Sequence, residues 1–226
     1  MKKPLWDGLE AVLFDFEGTL VDEQWNVKGA VQDTLERLKA YGLSIERLQG
    51  KKYSILMREA MEAASEAGRS PEEVREIIGT IYDRYDQDAL GRWSLRPGVK
   101  EVLHTLQSRG IKTALVSNVG EKALALAFQK LNLRSLFDLR VSRNDVQAMK
   151  PSGEGITLAI KRLHLRKEKA LFVGDSPDDI DAAREAGVKV ILIGGEENPK
   201  AEAHPAKPDD LIQNLREFLV NLLGRI

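Results

Sequence analysis

The 226-residue chain contains no cysteine, which excludes disulfides, thiolate metal sites and a cysteine nucleophile. No run of residues approaches the ~18 apolar residues of a membrane-spanning helix, so we expect no membrane partner. Neither sign of charge dominates, because 34 Lys and Arg face 35 Asp and Glu, and this balance does not favour a nucleic-acid partner. Residues 1–7 lack the apolar segment of a signal peptide. With the absent cysteine, this predicts a cytoplasmic protein.

What the chain does contain is an apolar segment, residues 11–14, that ends directly in Asp15 and continues into Glu17 and Gly18. A buried strand would deliver the acid to its C-terminal end, where open α/β sheets bind ligands. A glycine at that point lets the backbone turn sharply. Alone, the pattern is equally typical of a strand that ends in a solvated acid. An Asp held at such an end can also be a nucleophile, a metal ligand or both.

The rest of the chain divides into a helical block and an alternating block. Residues 27–89 carry apolar side chains at helical spacing, and Ser70-Pro71 followed by two acids predicts a helix start. After Pro97-Gly98 we predict helices at 99–109, 122–131, 154–163, 180–186 and 211–223, with strands at 113–116, 137–141, 170–173 and 188–193. Such alternation indicates a parallel sheet covered on both faces. The prediction is an α/β fold: a doubly wound, Rossmann-like core of residues 1–20 and 93–226, interrupted by an all-helical domain of residues 21–92.

Polar side chains follow four of the predicted core strands, at one edge of the sheet. Each has an ordinary interpretation, as a helix cap or as a solvated lysine. Together they combine carboxylates, a hydroxyl, an amide and a lysine, which suits Mg²⁺ and phosphoryl transfer. The residues are Asp15, Glu17, Ser117, Asn118, Lys150, Asp175 and Asp179.

In order and residue type these segments resemble the four motifs of the haloacid dehalogenase-like (HAD) hydrolases, and more closely the phosphatase branch with a helical (C1-type) cap. The motifs are matched by the pentapeptide that starts at Asp15, by Ser117, by Lys150-Pro151 and by residues 174–179. The resemblance covers essentially the whole chain. It implies a Mg²⁺-dependent phosphatase that acts on a small phosphorylated metabolite, with residues 21–92 as the cap.

The resemblance also implies a role for each matching residue. Asp15 would attack phosphorus, and Glu17 would protonate the leaving alcohol and then activate water. Lys150 would neutralise Asp15 and the phosphoryl group, while Ser117 and Asn118 would bind phosphate. The metal ligands would be Asp15, the backbone carbonyl of Glu17 and Asp175, with Asp179 as a further ligand or as an acid that orients a metal-bound water.

One position departs from the family pattern, since phosphatases of this family usually carry Asp where this chain has Glu17. The longer side chain predicts slow turnover that favours good leaving groups, and it predicts that Glu17→Asp raises turnover. The departure leaves alternatives open: a metal-independent 2-haloacid dehalogenase, a phosphomutase or phosphonate hydrolase on the same scaffold, or a degenerate HAD fold that binds a partner. The complete set of Asp15, Ser117, Lys150 and Asp175 favours the phosphatase.

Overall fold

The computed structural model describes residues 8–194 and 204–225. The expectations for residues 1–7 and for Gly195 lie outside these ranges. The described residues form two compact units, of which Gln24–Arg92 is one and the other described residues are the second. None of the helices in the described ranges is long and apolar enough to cross a membrane.

The unit Gln24–Arg92 contains three helices: α1 Val27–Ala40, α2 Tyr53–Glu66 and α3 Pro71–Leu90. The predicted start of α3 is confirmed, because the Ser70 side chain accepts a hydrogen bond from the backbone N–H of Glu73 and Pro71 opens the helix. Trp25 packs against Tyr53 and edge-on against Tyr82. The Tyr82 hydroxyl donates to the backbone carbonyl of Tyr53 at 2.9 Å, which ties α3 to the start of α2.

The other unit is built on a six-stranded sheet in which every strand pair is parallel. Its strands are β1 Ala11–Phe14, β2 Lys112–Val116, β3 Leu139–Val141, β4 Ala170–Gly174, β5 Lys189–Ile193 and β6 Asp210–Ile212. Their order across the sheet is β3-β2-β1-β4-β5-β6. The predicted doubly wound α/β core is therefore confirmed.

Helices cover both faces of this sheet. They are α4 Val99–Ser108, α5 Glu121–Lys130, α6 Glu154–Arg162, α7 Pro177–Ala186 and α8 Leu215–Arg225. On one face, Leu13 of β1 lies in a buried cluster with Ile156 of α6 and Ile180 of α7. On the other face, the next residue, Phe14, packs edge-on against Phe218 of α8. Because successive strand side chains point to opposite faces, β1 is apolar throughout and fully buried.

The sheet order creates a crevice at the carboxyl end of β1. The strand pairs with β2 on one side and with β4 on the other, so the chain connections diverge from it in opposite directions. Open α/β sheets bind ligands at this kind of switch point. The residue that follows β1, Asp15, is held there because its backbone N–H donates to the carbonyl of Val173 in β4 at 2.9 Å.

The strand predicted at 137–141 begins only at Leu139, and two predicted helices were also wrong in detail. Residues 211–223 are not one helix: the edge strand β6 ends at Ile212, and α8 begins at Leu215. Asn214 separates them, because its side-chain oxygen accepts from the backbone N–H groups of Arg216 and Glu217. Helix α7 begins at Pro177 rather than at residue 180, since Ser176 caps it. In both places a capping residue three positions before an acid marks the helix start.

The two segments that connect the units run side by side. Val21 and Leu95 form an antiparallel bridge. The backbone N–H of Asp22 donates to the carbonyl of Ser94 at 3.2 Å, and that of Arg96 donates to the carbonyl of Leu20 at 2.9 Å. The chain therefore leaves the sheet after β1 and returns toward α4 through adjacent, hydrogen-bonded segments.

Candidate active site at the carboxyl ends of the strands

Three carboxylates from two strand ends meet in the crevice. Asp15 follows β1, and Asp175 and Asp179 follow β4; one carboxylate oxygen of each lies within 4.8 Å of the others. Gly18 makes this approach possible. Its φ is +81°, and a Cβ at this position would lie 2.2 Å from Oδ2 of Asp175, so a larger residue would displace the acid.

Lys150 links two of these acids. Its Nζ lies 2.5 Å from Oδ1 of Asp15 and 2.7 Å from Oδ1 of Asp179, and the side chain is only 6% exposed. The lysine reaches the crevice from the loop between β3 and α6, so the structure brings this predicted residue directly onto Asp15. A buried ammonium between two carboxylates is held in one position by charge-assisted hydrogen bonds.

Burial sets the ionisation of this cluster. The pKa of Asp15 is raised to about 6, mainly by burial. The charge of Lys150 acts to lower this pKa, and the charge of Asp179 acts with burial to raise it. Burial also raises the pKa of Asp175 well above its usual range, and the charges of Asp179 and Asp15 act in the same direction. Burial lowers the pKa of Lys150, but Asp15 and Asp179 outweigh it and raise the pKa above its ordinary value. The lysine is therefore always charged.

The cluster has more acids than lysines, and this excess of negative charge favours the binding of a metal ion. Three buried or partly buried carboxylates face one ammonium group, so a further positive charge would relieve the repulsion that raises the pKa values of Asp15 and Asp175. All the donor atoms are carboxylate oxygens, the ligands that Mg²⁺ prefers. The residues present thus fit a Mg²⁺ ion in both charge and donor type.

Asp179 uses both of its oxygens within the protein. Oδ2 accepts from the backbone N–H groups of Asp175 and Ser176 and from the Ser176 hydroxyl, while Oδ1 accepts from Lys150. The side chain has no exposed surface. A Cβ on Gly174 would lie 2.5 Å from Cγ of Asp179, so only glycine leaves room for it. The acid thus caps α7 and fixes Lys150 at the same time.

Thr19 was not among the predicted site residues. Its hydroxyl donates to Oδ1 of Asp175 at 2.7 Å, and the residue is fully buried. The bond orients the Asp175 carboxylate from the turn that follows β1. The sequence did indicate that Thr19 lies near the site, because it stands directly after Gly18 in the turn that follows the predicted strand.

The structure places Ser117 and Asn118 after β2, as expected, but their side chains differ in what they contact. The buried Ser117 hydroxyl accepts from the backbone N–H of Val119 at 3.1 Å. The Asn118 side chain instead binds the backbone of Lys150, donating to its carbonyl at 3.0 Å and accepting from its N–H at 2.9 Å. Asn118 therefore secures the residue that carries the lysine side chain.

Glu17 has a partner that the sequence did not indicate. The indole Nε1–H of Trp93 donates to Oε1 of Glu17 at 2.7 Å. Trp93 is buried and packs edge-on against Phe16, with ring centroids 5.0 Å apart. The two residues are 76 positions apart, and the whole helical insertion separates them in the chain, so no local pattern could have joined them.

Comparisons with known proteins agree with this geometry. A family model described as haloacid dehalogenase-like hydrolase matches residues 12–193. A putative pyrophosphatase, PpaX, of Caldanaerobacter subterraneus subsp. tengcongensis is 29% identical over 220 residues and covers 96% of each chain. A phosphoglycolate phosphatase of Escherichia coli is 28% identical over 233 residues, covering 95% of this chain and 92% of the relative.

Solved structures support the same assignment. A putative haloacid dehalogenase-like hydrolase from Bacteroides fragilis superposes with a TM-score of 0.66 at 25% identity, covering 93% of this chain and 99% of that one. A putative beta-phosphoglucomutase from Thermotoga maritima, at 24% identity and a TM-score of 0.63, covers 96% and 100% and shares the fold. The family model spans most of the chain and includes the strand ends that carry the site. The chain therefore belongs to the haloacid dehalogenase-like hydrolases, as its four sequence motifs predicted.

Proposed function

We propose that this chain is a Mg²⁺-dependent phosphatase that hydrolyses a small-molecule phosphomonoester through an aspartyl-phosphate at Asp15. The observation that carries the proposal is the Lys150 ammonium, which lies 2.5 Å from Asp15 in a crevice that also holds Asp175 and Asp179. The names of the relatives, a putative pyrophosphatase and a phosphoglycolate phosphatase, support a small phosphorylated substrate.

Mg²⁺ would be held by Asp15, Asp175 and the backbone carbonyl of Glu17, with Asp179 as a further ligand or as an acid that would orient a metal-bound water. Asp179 favours the second role, because Lys150 and the start of α7 already engage its oxygens. When bound, Mg²⁺ would supply positive charge that polarises the phosphoryl group.

Asp15 is the nucleophile of the first step. A carboxylate oxygen of Asp15 forms a bond to phosphorus while the bond from phosphorus to the ester oxygen breaks. Lys150 and the Ser117 hydroxyl contact the phosphoryl oxygens, and the ammonium offsets the charge that develops on them. Asn118 contributes to phosphate binding through Lys150, whose backbone it holds.

Glu17 transfers the proton in both steps. It donates a proton to the departing alkoxide, and the resulting carboxylate then takes a proton from the water that attacks the aspartyl-phosphate, which releases phosphate and restores Asp15. Because Glu is longer than Asp by one methylene, we expect turnover to be slow for esters of basic alcohols, which depend most on this proton.

The helical unit Gln24–Arg92 acts, in this proposal, as the cap that selects the substrate. A cap excludes water and restricts which esters reach the nucleophile. The alternatives are weaker. A metal-independent 2-haloacid dehalogenase has no use for a carboxylate cluster completed by Asp175 and Asp179, and a degenerate binding protein has no need of the buried bond between Lys150 and Asp15.

The test is hydrolysis of p-nitrophenyl phosphate with Mg²⁺ and with EDTA, by the wild-type protein, by Asp15→Asn and by Asp181→Asn, which removes a half-exposed acid elsewhere on α7. We expect Mg²⁺-dependent release that EDTA and Asp15→Asn abolish and Asp181→Asn retains. Absence of release at every metal concentration would overturn the proposal. Phosphoglycolate and pyrophosphate then distinguish an ester from an anhydride substrate.

A further inference from the structure

We infer that Trp93 is a positioning residue for the proton-transfer step, because it holds the Glu17 carboxylate in place. The inference rests on the proposed function, since it assigns the means by which Glu17 is presented to the leaving group. It begins from one contact, the 2.7 Å hydrogen bond from Nε1 of Trp93 to Oε1 of Glu17.

The indole is well suited to this task. Its N–H is only a donor, so it cannot exchange roles with the carboxylate or take up its proton. Trp93 is 2% exposed, and its ring packs edge-on against Phe16, the residue that directly precedes Glu17. The ring that binds the side chain of residue 17 is therefore fixed against the neighbouring residue of the same turn.

The backbone of Trp93 is held as firmly as its ring. Two residues later, Leu95 pairs with Val21, and the carbonyl of Ser94 accepts from the N–H of Asp22. The Arg96 side chain donates to the carbonyl of Gly18, the residue after Glu17. The returning segment 93–96 is thus attached to the turn that carries Glu17 at several points, and one of these contacts is the bond from the indole to the carboxylate.

This contact gives a reason for the departure at position 17. An Asp side chain is shorter by one methylene, roughly 1.5 Å, and would leave the indole N–H beyond hydrogen-bond distance. A Glu has more rotamers than Asp, and the Trp93 bond selects one of them. For Glu17→Asp this inference predicts the opposite of what side-chain length alone predicts: the shorter acid loses the hydrogen bond to Trp93, and turnover of an ester with a basic leaving group falls.

The kinetic test compares two esters of similar shape, phenyl phosphate and p-nitrophenyl phosphate. The phenolate leaving group is the more basic and depends more on proton donation. We expect Trp93→Phe to lower kcat/KM, which reports only the steps up to departure of the leaving group, roughly tenfold on phenyl phosphate, the effect of losing one hydrogen bond to a charged group, with a change of less than about threefold on p-nitrophenyl phosphate. A merely structural role would lower both rates equally, and that result would overturn the inference.

The matched control is Trp25→Phe. Trp25 is the other tryptophan in the described residues, and its buried indole nitrogen has no hydrogen-bond partner among them. It belongs to the helical unit, where it packs among Tyr53 and Tyr82. We expect this substitution to leave the ratio of the two rates unchanged. Circular dichroism of both variants shows whether each retains its fold.

A double-mutant cycle with Glu17→Asp tests the coupling directly. If Trp93 acts through the Glu17 carboxylate, Trp93→Phe changes the phenyl phosphate rate little more once residue 17 is Asp. Multiplication of the two single effects would show that Trp93 acts independently of Glu17, and the inference would then be wrong.

A readout that needs no turnover separates this inference from the proposed function. In ¹⁵N-labelled protein the three tryptophans give three indole N–H signals, and Trp93→Phe identifies one of them. We expect Glu17→Ala to move that signal and to leave the Trp25 signal in place. An unmoved Trp93 signal overturns the inference even in an active enzyme. If the signal moves but wild-type protein hydrolyses neither ester, the contact exists and it is the proposed function, with the role of Trp93 in it, that fails.

Discussion

The ammonium of Lys150 lies 2.7 Å from Oδ1 of Asp179, a carboxylate with no exposed surface. The same acid accepts three hydrogen bonds at Oδ2 from the start of α7. The lysine that contacts Asp15 is therefore fixed by the helix that follows β4. Several consequences can be measured.

Asp179→Asn should destabilise the protein by about 2–4 kcal/mol, because it removes one partner of a buried ion pair and places an amide against donors at the start of α7. Chemical denaturation gives the free energy of unfolding. Asp181→Asn, on the same helix and half-exposed, should change it by less than about 0.5 kcal/mol. Equal effects of the two substitutions would contradict the role assigned to Asp179.

In the metal-free protein, Asp15→Asn should become more stable relative to wild type as the pH rises toward neutral, while it abolishes turnover. The pKa of Asp15 rises from 3.8 to about 6 on folding, so the folded state binds the proton more tightly than the unfolded state. The stability this provides is complete below about pH 4 and is lost as the pH rises through about 6. We compare the free energy of unfolding of Asp15→Asn with that of wild type at each pH. We expect the difference to favour the variant by about 1–3 kcal/mol more at pH 7.5 than at pH 4.

The measurement for this prediction is the free energy of unfolding of both proteins in EDTA across that pH range. Asp181→Asn serves as the control for removal of a carboxylate outside the crevice. If the difference in free energy of unfolding between Asp15→Asn and wild type stays constant from pH 4 to pH 7.5, burial of Asp15 does not govern its ionisation.

Thr19→Val should weaken Mg²⁺ binding, because Asp175 loses the hydroxyl that orients it. Loss of a group that holds a metal ligand typically costs 10–100-fold in affinity, so we expect the half-saturating Mg²⁺ concentration to rise by roughly tenfold or more. Thr19→Ser retains the hydroxyl and should bind the ion nearly as wild type does. Titration calorimetry with Mg²⁺ alone measures both variants, and equal affinities would refute the prediction.

Asn118→Ala should lower kcat by roughly a hundredfold, because the backbone of Lys150 loses both hydrogen bonds to the end of β2 and the ammonium is displaced from Asp15. Asn144→Ala provides the comparison, since Asn144 is exposed and its side chain accepts from the backbone of Glu121 outside the crevice. Steady-state kinetics with p-nitrophenyl phosphate would show a normal kcat for Asn118→Ala if Lys150 were held by its side-chain contacts alone.

The sequence predicted the sheet and the positions of the site residues, because both depend on local patterns. Apolar segments that end in polar residues defined the strands that carry Asp15, Ser117 and Asp175, and parallel pairing brought their ends together. The strand β6 was missed because Ile212, Leu215 and Phe218 are all buried at a spacing that is also helical. Only the cap at Asn214 distinguishes a strand followed by a helix from one long helix.

Side-chain partners were harder to predict than positions. Asn118 lies where the sequence placed it, but its two amide atoms bind a backbone 32 residues away. The bond between Trp93 and Glu17 depends on the return of the chain beside the turn after β1. Such pairings follow from tertiary geometry, so the residue types at each end do not indicate them.

The bridge between Val21 and Leu95 also has an evolutionary consequence. Because the two ends of the insertion are already neighbours, a helical unit of another length or sequence could be grafted between them with little additional loop-closure entropy. If the helical unit is the cap of the proposed function, substrate preference could then diverge by exchange of this unit while Asp15, Lys150 and Asp175 stay unchanged. The hydrogen bond from Trp93 to Glu17 restricts that exchange. A grafted unit that displaces residue 93 would also disturb Glu17, so Trp93 has to stay with the α/β core.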